Sequence, residues 1–239
     1  MNKSKRRAVA RALALCAVIA GCGAAAPLRF ADAAGAYTAE KFSAAPPAEV
    51  SAAIREVLSN DGIRVQGPKG PLCEIWLRKA IPLNANPSNE LGIAFPEFAE
   101  GTLAAVVRFP AELTDYRQQR VKPGVYTLRY ALNPVNGNHQ GVAPQRDFLL
   151  ASPAADDGGV AALSMNDLLA LSRKAAGRDH PSVWSFSPVE GQPATLPAMS
   201  HQEDGDLWLV EFPVHLQAAN NTVTLKTVGF VVVGHAPEA

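Results

Sequence analysis

Cysteine is scarce. Cys16, Cys22 and Cys73 are the only three in the chain, and the first two lie in or at the end of an N-terminal apolar stretch. Cys73 is therefore left with no intramolecular disulfide partner in the body of the protein. In Leu72-Cys73-Glu74-Ile75-Trp76-Leu77 the alternation places Cys73 with Ile75 and Leu77, which reads as a small buried hydrophobe rather than a reactive thiol. The five histidines, His139, His180, His201, His215 and His235, are scattered, with no H-x-H, H-x-x-x-H or C-x-x-C among them. No metal ligand set is expected on that pattern, and no cofactor is implied. There is no G-x-S-x-G elbow. Asp156-Asp157 and Glu203-Asp204 with Asp206 lack the spacing of a calcium loop and read as solvated turns. With no recognisable catalytic constellation, a non-enzymatic role is expected.

Two further absences bound the class. No apolar run is long enough to cross a bilayer, and no internal repeat is visible. What stands at the start of the chain is Lys3, Lys5, Arg6, Arg7 and Arg11, then an apolar run from Ala12 to Ala20, then small residues. That succession predicts a secretory signal. Ile19-Ala20-Gly21-Cys22 resembles the bacterial lipobox, which implies cleavage before Cys22, acylation of its thiol and attachment to the membrane. Gly23 after the cysteine implies, by the same resemblance, an outer-membrane destination. The alternative is an A-x-A-like exit at Ala31-Asp32-Ala33, with release of a soluble secreted or periplasmic protein beginning at Ala34. Loss of residues 1–21 removes five Lys/Arg and no Asp/Glu, so a balance of 22 against 22 becomes 17 against 22. A mildly acidic mature chain is not the electrostatic footprint of a nucleic-acid binder.

Residues 22–47 are rich in Ala, Pro and Gly and read as a tether. Residues 48–239 suffice for one domain with its own core. Val50, Ile54, Val57 and Leu58 recur at helical spacing, predicting a short helix over Ala48–Leu58. A second helix is expected over Ser164–Ala176: Ser164 with Asp167 forms an S-x-x-D start, Arg173 and Lys174 suit the C-terminal dipole, and Gly177 supplies the stop. It is expected to cover an open end or edge of a sheet.

The remaining periodicity has period two. Strands are predicted at Ile63–Gln66, Leu72–Leu83, Thr102–Phe109, Val125–Leu132, Asp147–Ala151, Val183–Phe186, Thr195–His201, Leu207–Leu216 and Val223–Val233. Asp204-Gly205 signals a hairpin, and Pro213 marks an edge strand or a bulge. In the last strand Val223 and Leu225 are out of phase with Val228, Phe230 and Val232, which a bulge near Thr227 or Gly229 would reconcile. The list predicts a mainly β protein, an antiparallel β-sandwich, Ig-like or jelly-roll-like, with two short helices.

The clearest stretch is Val121–Leu132. Pro123-Gly124 fits a type II turn, after which Tyr126, Leu128, Tyr130 and Leu132 face one way and Val125, Thr127 and Arg129 the other, as in a half-buried strand. Lys122-Pro123-Gly124-Val125-Tyr126-Thr127-Leu128 resembles the strand entry of secreted β-sandwich modules such as carboxypeptidase-regulatory-like domains. The resemblance implies a scaffold or binding surface and says nothing finer about function.

The candidate site is the loop Asn133–Gln145, longer than a hairpin requires and stiffened by Pro134 and Pro144. Asn136, Asn138 and His139 are its polar ligand-contacting candidates, and Arg146 with Asp147 either hold the loop base or meet an anionic ligand. Trp76, alternating with Glu74 and Arg78, is the tryptophan expected on the polar face and thus the candidate platform. The function expected is an exported, lipid-anchored, non-enzymatic binding or scaffold protein of the bacterial cell envelope, with an envelope protein or small ligand as partner. The alternative is an envelope enzyme or metalloprotein built around the 133–147 loop.

Overall fold

The computed structural model describes residues 37–135, 145–191 and 193–236. In chain order these form β1 (Thr38–Ser43), α1 (Ala52–Val57), β2 (Leu58–Gly67), β3 (Gly70–Arg78), β4 (Ile81–Pro82), β5 (Leu103–Phe109), β6 (Leu113–Thr114), β7 (Arg120–Val121), β8 (Gly124–Leu132), β9 (Asp147–Pro153), α2 (Met165–Ala176), β10 (Ser182–Ser187), β11 (Ala198–Gln202), β12 (Leu207–Gln217) and β13 (Val223–Val233). Eleven strands belong to one sheet in the order β1-β2-β3-β5-β8-β9-β10-β13-β12-β11, with β4 beside β12; β6 and β7 form a separate pair. Every pairing is antiparallel except that of β4 with β12.

The expected mainly β architecture with two short helices is what the described residues adopt. The sheet, however, is one continuous curled surface, a half-barrel, where two separate stacked sheets were anticipated. The physical cause is β10. Its residues Ser182–Ser185 pair with β9, whereas Phe186 and Ser187 pair with Phe230 and Gly229 of β13, so one short strand passes from one group of strands to the other. Gly229 makes the passage possible, since a Cβ there would lie 2.9 Å from Leu209 Cδ2 and 3.3 Å from the Ser187 carbonyl.

Strand alternation fills the concave side. Ile75, Val107, Leu128, Leu149, Val210, Phe212 and Phe230 join a single buried cluster, within which Trp184 stacks between Phe109 at 4.8 Å and Phe230 at 5.7 Å. β1 and β11, at the two ends of the sheet, touch without pairing, and Tyr37 meets Trp208 across that seam with ring centroids 4.5 Å apart.

The convex side is also covered in part. Ser51 caps α1 by accepting from the Ile54 amide, and Val50, Ile54 and Leu58 pack on Trp76, Leu103 and Val106; burying Ile54 alone contributes on the order of 1.5–3 kcal/mol. α2 forms with the expected caps, Ser164 accepting from the Asp167 amide and Gly177 left-handed. It lies over the face made by Ala131 and Leu150, and so covers a sheet face instead of an edge.

Several local expectations change. Thr38–Ser43, inside the stretch read as tether, is the edge strand β1, paired along its length with β2. Its short alternation was masked by the Ala/Pro composition around it. There Phe42 lies over Gly62, whose added Cβ would fall 2.5 Å from the ring. Gly124 is not left-handed, so Pro123-Gly124 leads straight into β8 without a type II turn. β8 is buried on both faces, Tyr126, Leu128 and Tyr130 on one and Thr127 and Arg129 on the other.

β12 and β13 stay in phase from Gln217↔Val223 to Leu209↔Val231, the irregularity falling between Trp208 and Leu209; the bulge expected near Thr227 is absent and Val223 and Leu225 point outward. Pro213 sits on an interior strand, but in the gap between β11, which ends its pairing at Glu211, and β4, which begins at Leu216. Its missing N–H falls where no strand needs it.

Candidate functional site

Where β10 changes partners, the sheet parts on both sides, and each gap is filled by polar groups. On one side the Asp115–Gln119 turn wedges between β10 and the end of β13. The Tyr116 amide donates to the Val183 carbonyl at 2.9 Å, and the Ala236 amide donates to the Tyr116 carbonyl at 2.8 Å. The Asp115 carboxylate, fully buried, accepts from the amides of Arg117, Gln119 and Val183 and from the Gln119 side chain. Burial outweighs these bonds and holds its carboxyl above the ordinary carboxylate range.

On the other side, beyond the end of the β9 pairing, Gln145 takes the place of a strand. Its side-chain amide donates to Ser187 Oγ at 2.7 Å, to Ser185 Oγ at 3.3 Å and to the Phe186 carbonyl at 3.3 Å. Ser185 and Ser187 face outward because Trp184 and Phe186 face the core, an alternation that fixes a polar floor behind an aromatic interior.

Above this floor lies a groove of about 710 Å³. One wall is the segment Gly92–Ala94, the other the β11–β12 hairpin with His201, Glu203 and Asp204; Glu190 stands at one end. The His201 ring stacks on Trp208 at 4.4 Å and its Nε2 lies 2.7 Å from Asp206 Oδ1, so the imidazole is oriented by a ring and a carboxylate together. The chemistry presented is a hydroxyl and amide floor under a rim of carboxylates. That combination suits a ligand with several hydrogen-bonding groups and positive charge.

The Gly92–Ala94 wall is anchored by a residue singled out in the sequence. Asp147, fully buried, accepts from the Ala94 amide at 2.7 Å, the Phe95 amide at 3.0 Å and the Tyr130 hydroxyl at 2.6 Å. Burial, with Asp147 beside it, pushes the Tyr130 phenol far up. Arg146 does not pair with Asp147. Its Nη1 meets Glu90 at 2.6 Å and its Nε donates to the Asn133 carbonyl at 2.9 Å, which closes the base of the 133–147 loop.

Asn136, Asn138, His139 and Cys22 lie outside the described residues. Trp76 is not an exposed platform: it is 1% exposed, donates from Nε1 to the Ala44 carbonyl and sits in the cluster under α1. The covering helix, invisible to strand alternation, is what buried it. Nor is the Asp156-Asp157 turn wholly solvated. Asp157 is buried and paired with Arg129.

Gln145, Ser185, Ser187 and His201 were not singled out as ligand-contacting residues. The signal available for the serines was the S-x-W-S-F-S pattern, polar residues alternating with aromatics. Among the described residues no group of three or more His, Cys, Asp or Glu is placed to hold a metal ion, and no helix is long and apolar enough to cross a membrane.

The described residues thus define a mainly β half-barrel with a polar groove on its convex side. Neither a protein-family model, nor a curated protein, nor a solved structure matches this chain.

Proposed function

We propose that the protein is a non-enzymatic binding domain of the bacterial cell envelope, exported by its N-terminal signal, held to the membrane through acylated Cys22, and engaging its partner in the groove over β10. The observation that carries this reading is the groove itself, preformed and floored by Ser185, Ser187 and Gln145 with their mutual hydrogen bonds made. Arg146 and Asp147 favour binding over a catalytic or metal-centred role, since each is engaged in holding a wall of the groove or the loop beside it. The acidic rim of Glu190, Glu203 and Asp204 assigns the partner a basic or amide-rich segment. The parts of the curled sheet that face each other across the core serve as the two layers of a β-sandwich scaffold.

The test has two arms. Labelled palmitate should enter the wild-type protein and not Cys22→Ser. A photo-crosslinking residue at Gln202, which also lines the groove, should yield a defined adduct in cells that is lost when Glu190, Glu203 and Asp204 are changed to lysine while the circular dichroism is unchanged. Turnover of a small substrate dependent on His201 or His139 would overturn the reading.

A further inference from the structure

The β12–β13 hairpin extends beyond the end of β10. β10 pairs with β13 only at Phe186↔Phe230 and Ser187↔Gly229, and Pro188 then turns the chain away. From Val223 to Thr227, β13 is paired with β12 on one side and, among the described residues, with nothing on the other. The Ala218 amide donates to the Thr222 carbonyl, so the hydrogen-bonded positions facing β12 are the even-numbered ones. The N–H and C=O groups of Val223, Leu225 and Thr227 therefore point outward from the free edge.

The usual protections of an edge are missing here. The segment has no proline and no bulge. Its one charge, Lys226, is turned to the concave side, 2.9 Å from Glu97 and over the Phe95 ring. On the convex side Val223 is 47% and Leu225 67% exposed.

We propose that this edge is a dimerisation surface and that its occupant is the same edge of a second copy, paired antiparallel about Leu225. Val-Thr-Leu-Lys-Thr complements itself in that register. Leu225 lies opposite Leu225 of the second copy, Val223 opposite Thr227, and Thr224 opposite Lys226, so no like charges face each other. All three outward-facing positions then become hydrogen-bonded pairs, and the two exposed leucines cover one another. The contact is isologous and closes on itself. The other sheet ends, β1 and β11, already abut one another, so the assembly stops at two copies.

The full chain, studied by sedimentation velocity across a wide concentration range, should show a reversible monomer–dimer equilibrium. Leu225→Pro removes an outward N–H and leaves the β12 pairing intact; it should abolish the dimer with unchanged circular dichroism. Leu225→Lys and Leu225→Glu should each be monomeric alone and form a heterodimer when mixed, which keeps the test valid should the proline variant fail to fold. A wild-type chain monomeric at every concentration, or a dimer of equal strength in both charged variants, would overturn the proposal.

Discussion

Arg129 and Asp157 meet in a two-point ion pair with both side chains buried, Nε to Oδ2 at 2.7 Å and Nη2 to Oδ1 at 2.9 Å. The pair joins the middle of β8 to the segment that follows β9. Asp157 Oδ2 also accepts from the Thr127 hydroxyl, and Arg129 donates to the carbonyls of Gly101, Gly159 and Ala161. One guanidinium thus satisfies backbone groups from two loops that cross the convex face.

Breaking this pair leaves an uncompensated charge in the interior. Asp157→Asn is expected to lower unfolding free energy by about 3–5 kcal/mol, read from denaturant midpoints. Arg129→Met should cost more, because the freed carbonyls lose their donor as well. The double replacement Arg129→Met/Asp157→Leu should recover part of the loss and no more.

Asp147→Asn turns an amide donor toward the amide of Ala94 or Phe95 and should cost about 1–3 kcal/mol for the group left unsatisfied. Hydrogen exchange at Ala94 and Phe95 should quicken with it. Tyr130→Phe removes one donor and leaves both backbone bonds, so a loss of about 1 kcal/mol is expected.

Asp115 supplies a pH dependence of uncommon sign. Its carboxyl is raised in the folded protein by burial, so the native state takes up the proton more readily than the unfolded chain. Stability withheld while Asp115 is ionised is regained as pH falls through its raised value. The variant Asp115→Asn cannot titrate. Its stability deficit relative to wild type, measured by urea unfolding, should therefore be larger at pH 4 than at pH 7.

Gly101 has φ +77°, and a Cβ on it would lie 2.0 Å from the Leu163 carbonyl oxygen. Gly101→Ala is expected to cost at least about 2 kcal/mol through strain and displacement of the Leu163 strap. Gly158, with no atom within 4 Å of such a Cβ, should accept alanine with little change. Thermal midpoints of the two variants would separate the positions.

Much of the local structure was written in short-range chemistry. The helix from Met165 to Ala176 follows from its Ser164 and Gly177 caps, the β11–β12 hairpin from Asp204-Gly205, and β5 and β8 from their alternation. The candidate site was legible only in part. Arg146 and Asp147 read as the loop base or as contacts to an anionic ligand, but Asp147 acts on the amides of Ala94 and Phe95, 53 and 52 residues away in the chain, and no local pattern encodes that partner.

The amino-acid sequence by itself determined which side chains share a face of an uninterrupted strand such as β8, because a period of two is set by the backbone of a single segment; at irregularities such as that between Leu103 and Ala105 the phase was not legible. It did not determine whether the second face is covered. That Trp76 lies under α1, that Arg129 finds Asp157, and that β10 changes partners between Ser185 and Phe186 are long-range events, decided when separate segments competed for the same convex surface and the same backbone hydrogen bonds.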